Sequence, residues 1–171
     1  MNFVFYPPMR LSTSSLLLAL PIVIFAGAAQ TAYAATPVPV VTFRADAKGF
    51  KGDSTVARVR VIIPKGWHIQ SNAPLDEYLI PTEVKASGEG LCFGKPVFPE
   101  PVVKELDALG GKVALFEDTL DIRVTARATK KKTDPKVLAA ALENSSVTLR
   151  YQACNDSQCL PPKEVKATFA R

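Results

Sequence analysis

From Ser54 to Pro64 the chain reads STVARVRVIIP, and Val59, Val61 and Ile63 fall on one side with Arg58 and Arg60 between them. A period of two is the mark of a half-buried strand and is incompatible with a helix, whose apolar residues recur every three or four positions. The same kind of run recurs along the chain. Strands are expected at Val40–Asp46, Tyr78–Ala86, Leu91–Phe98, Lys112–Ala128 (as one piece or two), Ser146–Cys154 and Lys163–Ala170. Turn-forming clusters such as KGFKGD, PKG, SGEG, LGGK and NDSQ separate them at intervals of roughly 8 to 15 residues, the rhythm of an all-β domain. Only Asp134–Leu142 reads as a helix: Asp134 suits an N-cap and Pro135 suits the first helical position. It is short enough to be a bridge between strands rather than a layer. With 14 prolines concentrated near strand ends, where a missing N–H costs no ladder bond, the expected architecture is a β-sandwich.

The first residues do not follow this pattern. Arg10 precedes the apolar stretch LLLALPIVIFAGAA, and small residues stand at Ala32 and Ala34. A positive start, a short apolar centre and an A-x-A site describe a secretory signal peptide. The stretch is shorter than the roughly 20 residues that span a bilayer. We therefore expect residues 1–34 to be a signal peptide and residues 35–171 to be one exported, periplasmic domain that does not itself span the membrane after cleavage. The formal net charge is +5, and the only basic run, Lys130–Lys132, sits beside Thr133, Asp134 and Pro135 as in a solvated loop. No basic helix or interleaved aromatics are present, so no nucleic-acid partner is expected.

Chemistry concentrates in YQACNDSQCLPP, Tyr151–Pro162. YQAC ends a strand, NDSQ supplies a turn and CLPP begins the return. A four-residue hairpin loop sets its flanking residues opposite one another, at Cα separations that a disulfide can bridge. Cys154 and Cys159 can thus bond to each other. Closing so short a loop stabilises by about 2 kcal/mol at most, in a domain long enough to have its own core. Spacing alone leaves both a structural staple and a redox pair open. A zinc site would need three or four ligands, and the chain adds only His68 and Cys92 to the pair; no metal or cofactor is expected. His68, in GWHIQSN, is expected on the polar side of a strand that starts after the PKG turn, with Trp67 in the core. Cys92, between Leu91 and Phe93, is expected to be a small buried hydrophobe. No Gly-rich phosphate loop, paired-carboxylate site or Ser/His/Asp set stands out.

The segments IPKGWHIQSNAPLDEYLIPTEV, FGKPVFPEP, GGKVALFEDTLDIRVTA and LRYQACNDSQCLPP, in this order, resemble the N-terminal periplasmic domain of the thiol:disulfide interchange family DsbD. The resemblance runs from about Val40 to Phe169, and Y-Q-x-C…C-x-P-P is its most specific part. It implies an immunoglobulin-like β-sandwich in which Cys154 and Cys159 alternate between dithiol and disulfide. It also implies partners. Electrons would come from a thioredoxin-like domain tied to a membrane carrier of the DsbD or CcdA type. They would pass to periplasmic thioredoxin-fold proteins, including those of cytochrome c maturation. By the same resemblance ELDALGGKVALF is a cap loop over the disulfide, with Leu109 at the cap position, Asp107 two residues before it and Gly110 and Gly111 as a hinge. Leucine at Leu109 departs from the aromatic usual there. The family pattern also has no counterpart of Cys92. The resemblance covers this one domain, so either a separate electron donor or another task is expected.

Overall fold

The computed structural model describes residues 38–45, 49–107 and 110–170. The expected signal peptide, Leu109 and Asp46 lie outside the described residues. The architecture is a β-sandwich of antiparallel sheets with one short helix. Its strands are β1 (Val40–Ala45), β2 (Ser54–Ile62), β3 (His68–Gln70), β4 (Glu83–Ser87), β5 (Leu91–Phe93), β6 (Val102–Leu106), β7 (Gly111–Phe116), β8 (Thr119–Ala128), β9 (Ser146–Tyr151), β10 (Ala153–Cys154) and β11 (Lys163–Thr168), with α1 (Pro135–Glu143) between β8 and β9. They form three sheets, ordered β1-β2-β8-β5, β10-β3-β7-β6 and β11-β9-β4. All the pairings between these strands are antiparallel.

Alternation in the sequence becomes alternation in space. Along β2, Thr55, Ala57, Val59 and Val61 are buried and the residues between them are exposed. Along β8, Leu120, Ile122, Val124 and Ala126 are likewise buried, with Asp121 half-buried and Arg123 and Thr125 exposed between them. Their inward faces share one core cluster with Val84, Val147, Leu149 and Tyr151 of the three-stranded sheet and with Ile69, Phe116 and Ala153 of the sheet that carries β10. The helix joins that core through Leu138 and Leu142, and the Asp134 carboxylate caps it by accepting from the Lys136 N–H at 2.7 Å. Trp67 packs against the same cluster, half-buried.

Proline and glycine account for most departures from the expected strands. The run at Tyr78–Ala86 becomes a strand only from Glu83, after Pro81; before it the Asp76 side chain holds a turn by accepting from the Tyr78 N–H at 2.9 Å. Leu91–Phe98 stops at Phe93 and resumes as a single bridge between Val97 and Arg123, with Pro96 intervening. Lys112–Ala128 divides at Glu117 and Asp118, where Asp118 takes a left-handed φ of 53°. Strand β6 has no buried face and so no apolar alternation to reveal it: four of its five residues are exposed.

Leu149 lies on the central strand of its sheet with no solvent exposure. Leu149→Ala should cost about 3 kcal/mol through lost burial and a residual cavity. Val137→Ala, on the exposed side of α1, should move stability by less than about 0.5 kcal/mol. Urea denaturation with an unchanged m-value would check both.

Candidate functional site: a hairpin disulfide on the second face of a sheet

Cys154 and Cys159 are joined by a disulfide, with Cα atoms 4.0 Å apart and an antiparallel bridge between the two residues. The turn that brings them together is made by NDSQ. The Asn155 side-chain oxygen accepts from the N–H groups of Ser157 and Gln158, both at 2.9 Å, and the Asn155 N–H donates to the Gln158 carbonyl at 2.9 Å. On the return side the Leu160 N–H donates to the Ala153 carbonyl at 2.8 Å. The short side chain of Asn155 thus does what Asx-turn chemistry allows: it satisfies backbone donors within the loop and sets the reversal.

The strand leading into this turn is held by its neighbour. Ala153 pairs with Ile69 and Cys154 with His68. Residues directly opposite in an antiparallel pair share a sheet face, and so do residues two apart on one strand. Cys154, His68 and Gln70 therefore share one face, while Ala153 and Ile69 share the other and enter the main core. On β7, Leu115 pairs with Gln70 and Phe116 with Ile69. Leu115 and Val113 thus belong to the face of Cys154; both are buried, yet neither is part of the main core cluster. The disulfide lies on a second, separate buried face.

That face is unusually polar. His68 is 3% exposed, and Gln70 is fully buried. The expectation of His68 on a polar, outward side fails because β3 lies inside its sheet, between β10 and β7, and is covered on both faces. The Gln70 side-chain amide donates to Cys154 Sγ at 3.5 Å. Thr82 Oγ1 donates to the Gln70 carbonyl, and the Thr82 N–H to the Ser71 carbonyl at 3.1 Å, tying the loop after β3 back onto it. Three buried side-chain atoms among the described residues have no hydrogen-bond partner: His68 Nε2, Gln70 Oε1 and the Tyr151 hydroxyl. Two of the three stand on the strand opposite Cys154. Gln70 escaped the sequence reading, although the i, i+2 spacing of His68 and Gln70 was a usable signal once β3 and β10 were known to pair.

The two cysteines differ in burial: Cys154 is fully buried, whereas Cys159 is half-buried. Charged groups gather nearby. Lys104 Nζ pairs with Glu117 at 2.6 Å, which holds the lysine above its usual range. Burial pushes the His68 imidazole below its ordinary 6.5, against the attraction of the Glu117 and Asp156 carboxylates, while Lys104 adds to the downward shift.

The expected cap loop is the β6–β7 hairpin. Leu106 pairs with Gly111, the Gly110 N–H donates to the Asp107 carbonyl at 3.1 Å, and Gly110 and Gly111 take φ values of 86° and 131°. Those angles favour glycine at both positions. Asp107 is exposed. Cys92 is exposed, not buried: Leu91 is buried and Phe93 half-buried, so the period of two turns the residue between them to the outside. Among the described residues no group of three or more His, Cys, Asp or Glu side chains could hold a metal ion, and no helix is long and apolar enough to cross a membrane.

The fold and the site define an all-β domain that carries a hairpin disulfide between one buried and one half-buried cysteine. Residues 34–170 match the family described as "Thiol:disulfide interchange protein DsbD, N-terminal". The chain belongs to that family. The thiol:disulfide interchange protein DsbD of Haemophilus ducreyi is 35% identical over 88 residues, covering 52% of this chain and 13% of that protein. The chain thus spans a small fraction of that relative's length. Among solved structures, the reduced N-terminal domain of Neisseria meningitidis DsbD aligns at 18% identity and a TM-score of 0.41, over 79% of this chain and 85% of that one. The N-terminal periplasmic domain of ScsB from Proteus mirabilis aligns at 12% identity and a TM-score of 0.43, over 75% and 44%.

The chain has one histidine, which makes a clean test of this environment. Because His68 in the folded state holds its proton less tightly than the ordinary 6.5, the unfolded chain binds more protons as pH falls below that value. Stability is then full above about pH 6.5 and declines as pH drops through the window beneath it. Urea midpoints measured between about pH 7.5 and 5.5 should fall in the wild type and stay flatter in His68→Gln.

Proposed function

We propose that this protein is an exported thiol–disulfide exchange module. It relays electrons from a membrane-linked thioredoxin-like donor to periplasmic thioredoxin-fold partners through the Cys154–Cys159 pair. Residues 1–34 serve as the signal peptide and the domain works in the periplasm. Family membership supports the reaction class. The observation that carries the assignment to these two residues is their disulfide across the hairpin turn, with Cys154 buried and Cys159 half-buried.

A donor thiolate attacks the Sγ of Cys159, the less buried of the two cysteines, in line with the S–S bond. A mixed disulfide forms between donor and Cys159, and Cys154 leaves as a thiolate and takes up a proton. The donor's second thiol then attacks the mixed disulfide. The donor departs as a disulfide, and Cys159 gains the second proton. Two electrons and two protons have moved, and the dithiol can reduce an acceptor disulfide by the same steps in reverse order. Asp107, Leu109, Gly110 and Gly111 form the loop that shields the pair between encounters, with the two glycines as its hinge. A staple function finds little support in the fold: the closed loop is short, and the hairpin is already set by the Asn155 turn and by pairing with β3.

In a Cys92→Ser background, Cys154→Ser should form a mixed disulfide with an activated thioredoxin-fold protein at least about tenfold faster than Cys159→Ser does, because Cys159 is the less buried of the two. The reduction potential should lie above about −300 mV, within reach of thiol donors. A much lower potential together with no exchange would instead favour a non-catalytic binding or assembly module with a structural disulfide. That alternative requires partner binding to survive in the double serine variant.

A further inference from the structure

Buried polar atoms without partners are rare, and each one calls for a physical reason. Gln70 has no solvent exposure, its amide N–H already points at Cys154 Sγ at 3.5 Å, and its Oε1 has no partner. In the disulfide state this arrangement gains little. A disulfide sulfur is a weak acceptor, and neither sulfur carries a hydrogen for Oε1 to accept.

The balance changes on reduction. When the S–S bond breaks at Cys159, the electron pair stays on Cys154, and a full negative charge develops on a sulfur with no access to water. An unpaired buried charge is costly, and a hydrogen bond from a neutral donor to an ionised acceptor is among the stronger ones. Once the thiolate is protonated, the S–H needs an acceptor, and Oε1 is idle beside it. One carboxamide offers both groups, on a strand whose register with β10 puts it on the face of Cys154. We propose that Gln70 is a catalytic residue of the exchange reaction, donating to the Cys154 sulfur as it leaves as a thiolate and accepting its hydrogen once it is a thiol. This deepens the exchange reading above and rests on it.

The other groups that act at this spot are His68 on β3, Glu117 after β7, Lys104 on β6 and Asp156 in the hairpin loop, with Asp118 acting on Lys104. All are common to the variants below, so differences among those variants report on position 70.

The test uses the full chain with Cys92→Ser and Cys159→Ala, so that Cys154 is the one sulfur titrated by thiolate absorbance. Gln70→Met keeps the length of the side chain and removes its polar ends. It should raise the Cys154 pKa so that the thiolate fraction at neutral pH falls about tenfold. Gln70→Glu should raise it further, because its carboxylate repels the thiolate. In the two-cysteine chain, Gln70→Met should slow reduction by dithiothreitol about tenfold. Unchanged pKa and unchanged rate in natively folded variants would overturn the proposal. Should Gln70→Met fail to fold, the nearly isosteric Gln70→Glu decides it alone: an unmoved Cys154 pKa is the overturning result. A failure of the exchange reading looks different, since the wild type would then not react with a reduced thioredoxin-fold protein whatever position 70 does to the pKa.

Discussion

Two residues of backbone pairing, Ala153 with Ile69 and Cys154 with His68, set the character of the site. The register of so short a strand has an all-or-none consequence. A slip of one residue would exchange the faces, sending Cys154 into the apolar core and Ala153 to the polar side. As it stands, the sulfur is shielded without joining the main core, and it meets the carboxamide of Gln70 rather than hydrocarbon. The proposed chemistry follows from that placement, because a leaving thiolate is stabilised by a donor and destabilised by an apolar wall.

The sandwich separates stability from reactivity. The two faces of the β10-β3-β7-β6 sheet have different tasks. Ile69, Phe116 and Ala153 lock one face onto the main cluster, together with the long β2–β8 pair and the three-stranded sheet. The opposite face carries His68, Gln70 and Cys154, with unmet hydrogen bonds that an apolar core would not tolerate. Because the first face is held by well-packed aliphatic side chains, the second can keep polar groups that weaken it. The hairpin beyond β10 then needs only a small reversal, made by Asn155, to set Cys159 at the boundary with solvent. One cysteine is half-buried and the other fully buried, and the difference comes from which side of the turn each one occupies.

The loop between β6 and β7 shows how backbone freedom is reserved for particular places. Gly110 and Gly111 adopt φ values that a side chain would oppose, at the end of a hairpin whose outer strand buries none of its residues fully. Such a strand makes few apolar contacts, so its hairpin belongs to the less stable part of the molecule. In the proposed reaction that is the part that must give way when a partner approaches.

Much was legible from the chain alone. The period of two located β1, β2, β8, β9 and β11, Asp134 and Pro135 located the start of α1, and the spacing across NDSQ brought Cys154 and Cys159 within bonding distance. These are local matters: one strand face, one cap or one turn decides each of them. Three assignments needed the neighbours. Cys92 looked buried from its apolar flanks, but those flanks face inward and turn it outward. His68 looked solvated, but its strand is interior to a sheet and covered on both sides. Gln70 gave no signal until the pairing of β3 with β10 placed it against a sulfur 84 residues further along the chain. Local pattern determines how each strand is written; which strands meet, and in what register, is decided only when distant segments compete to bury the same apolar faces.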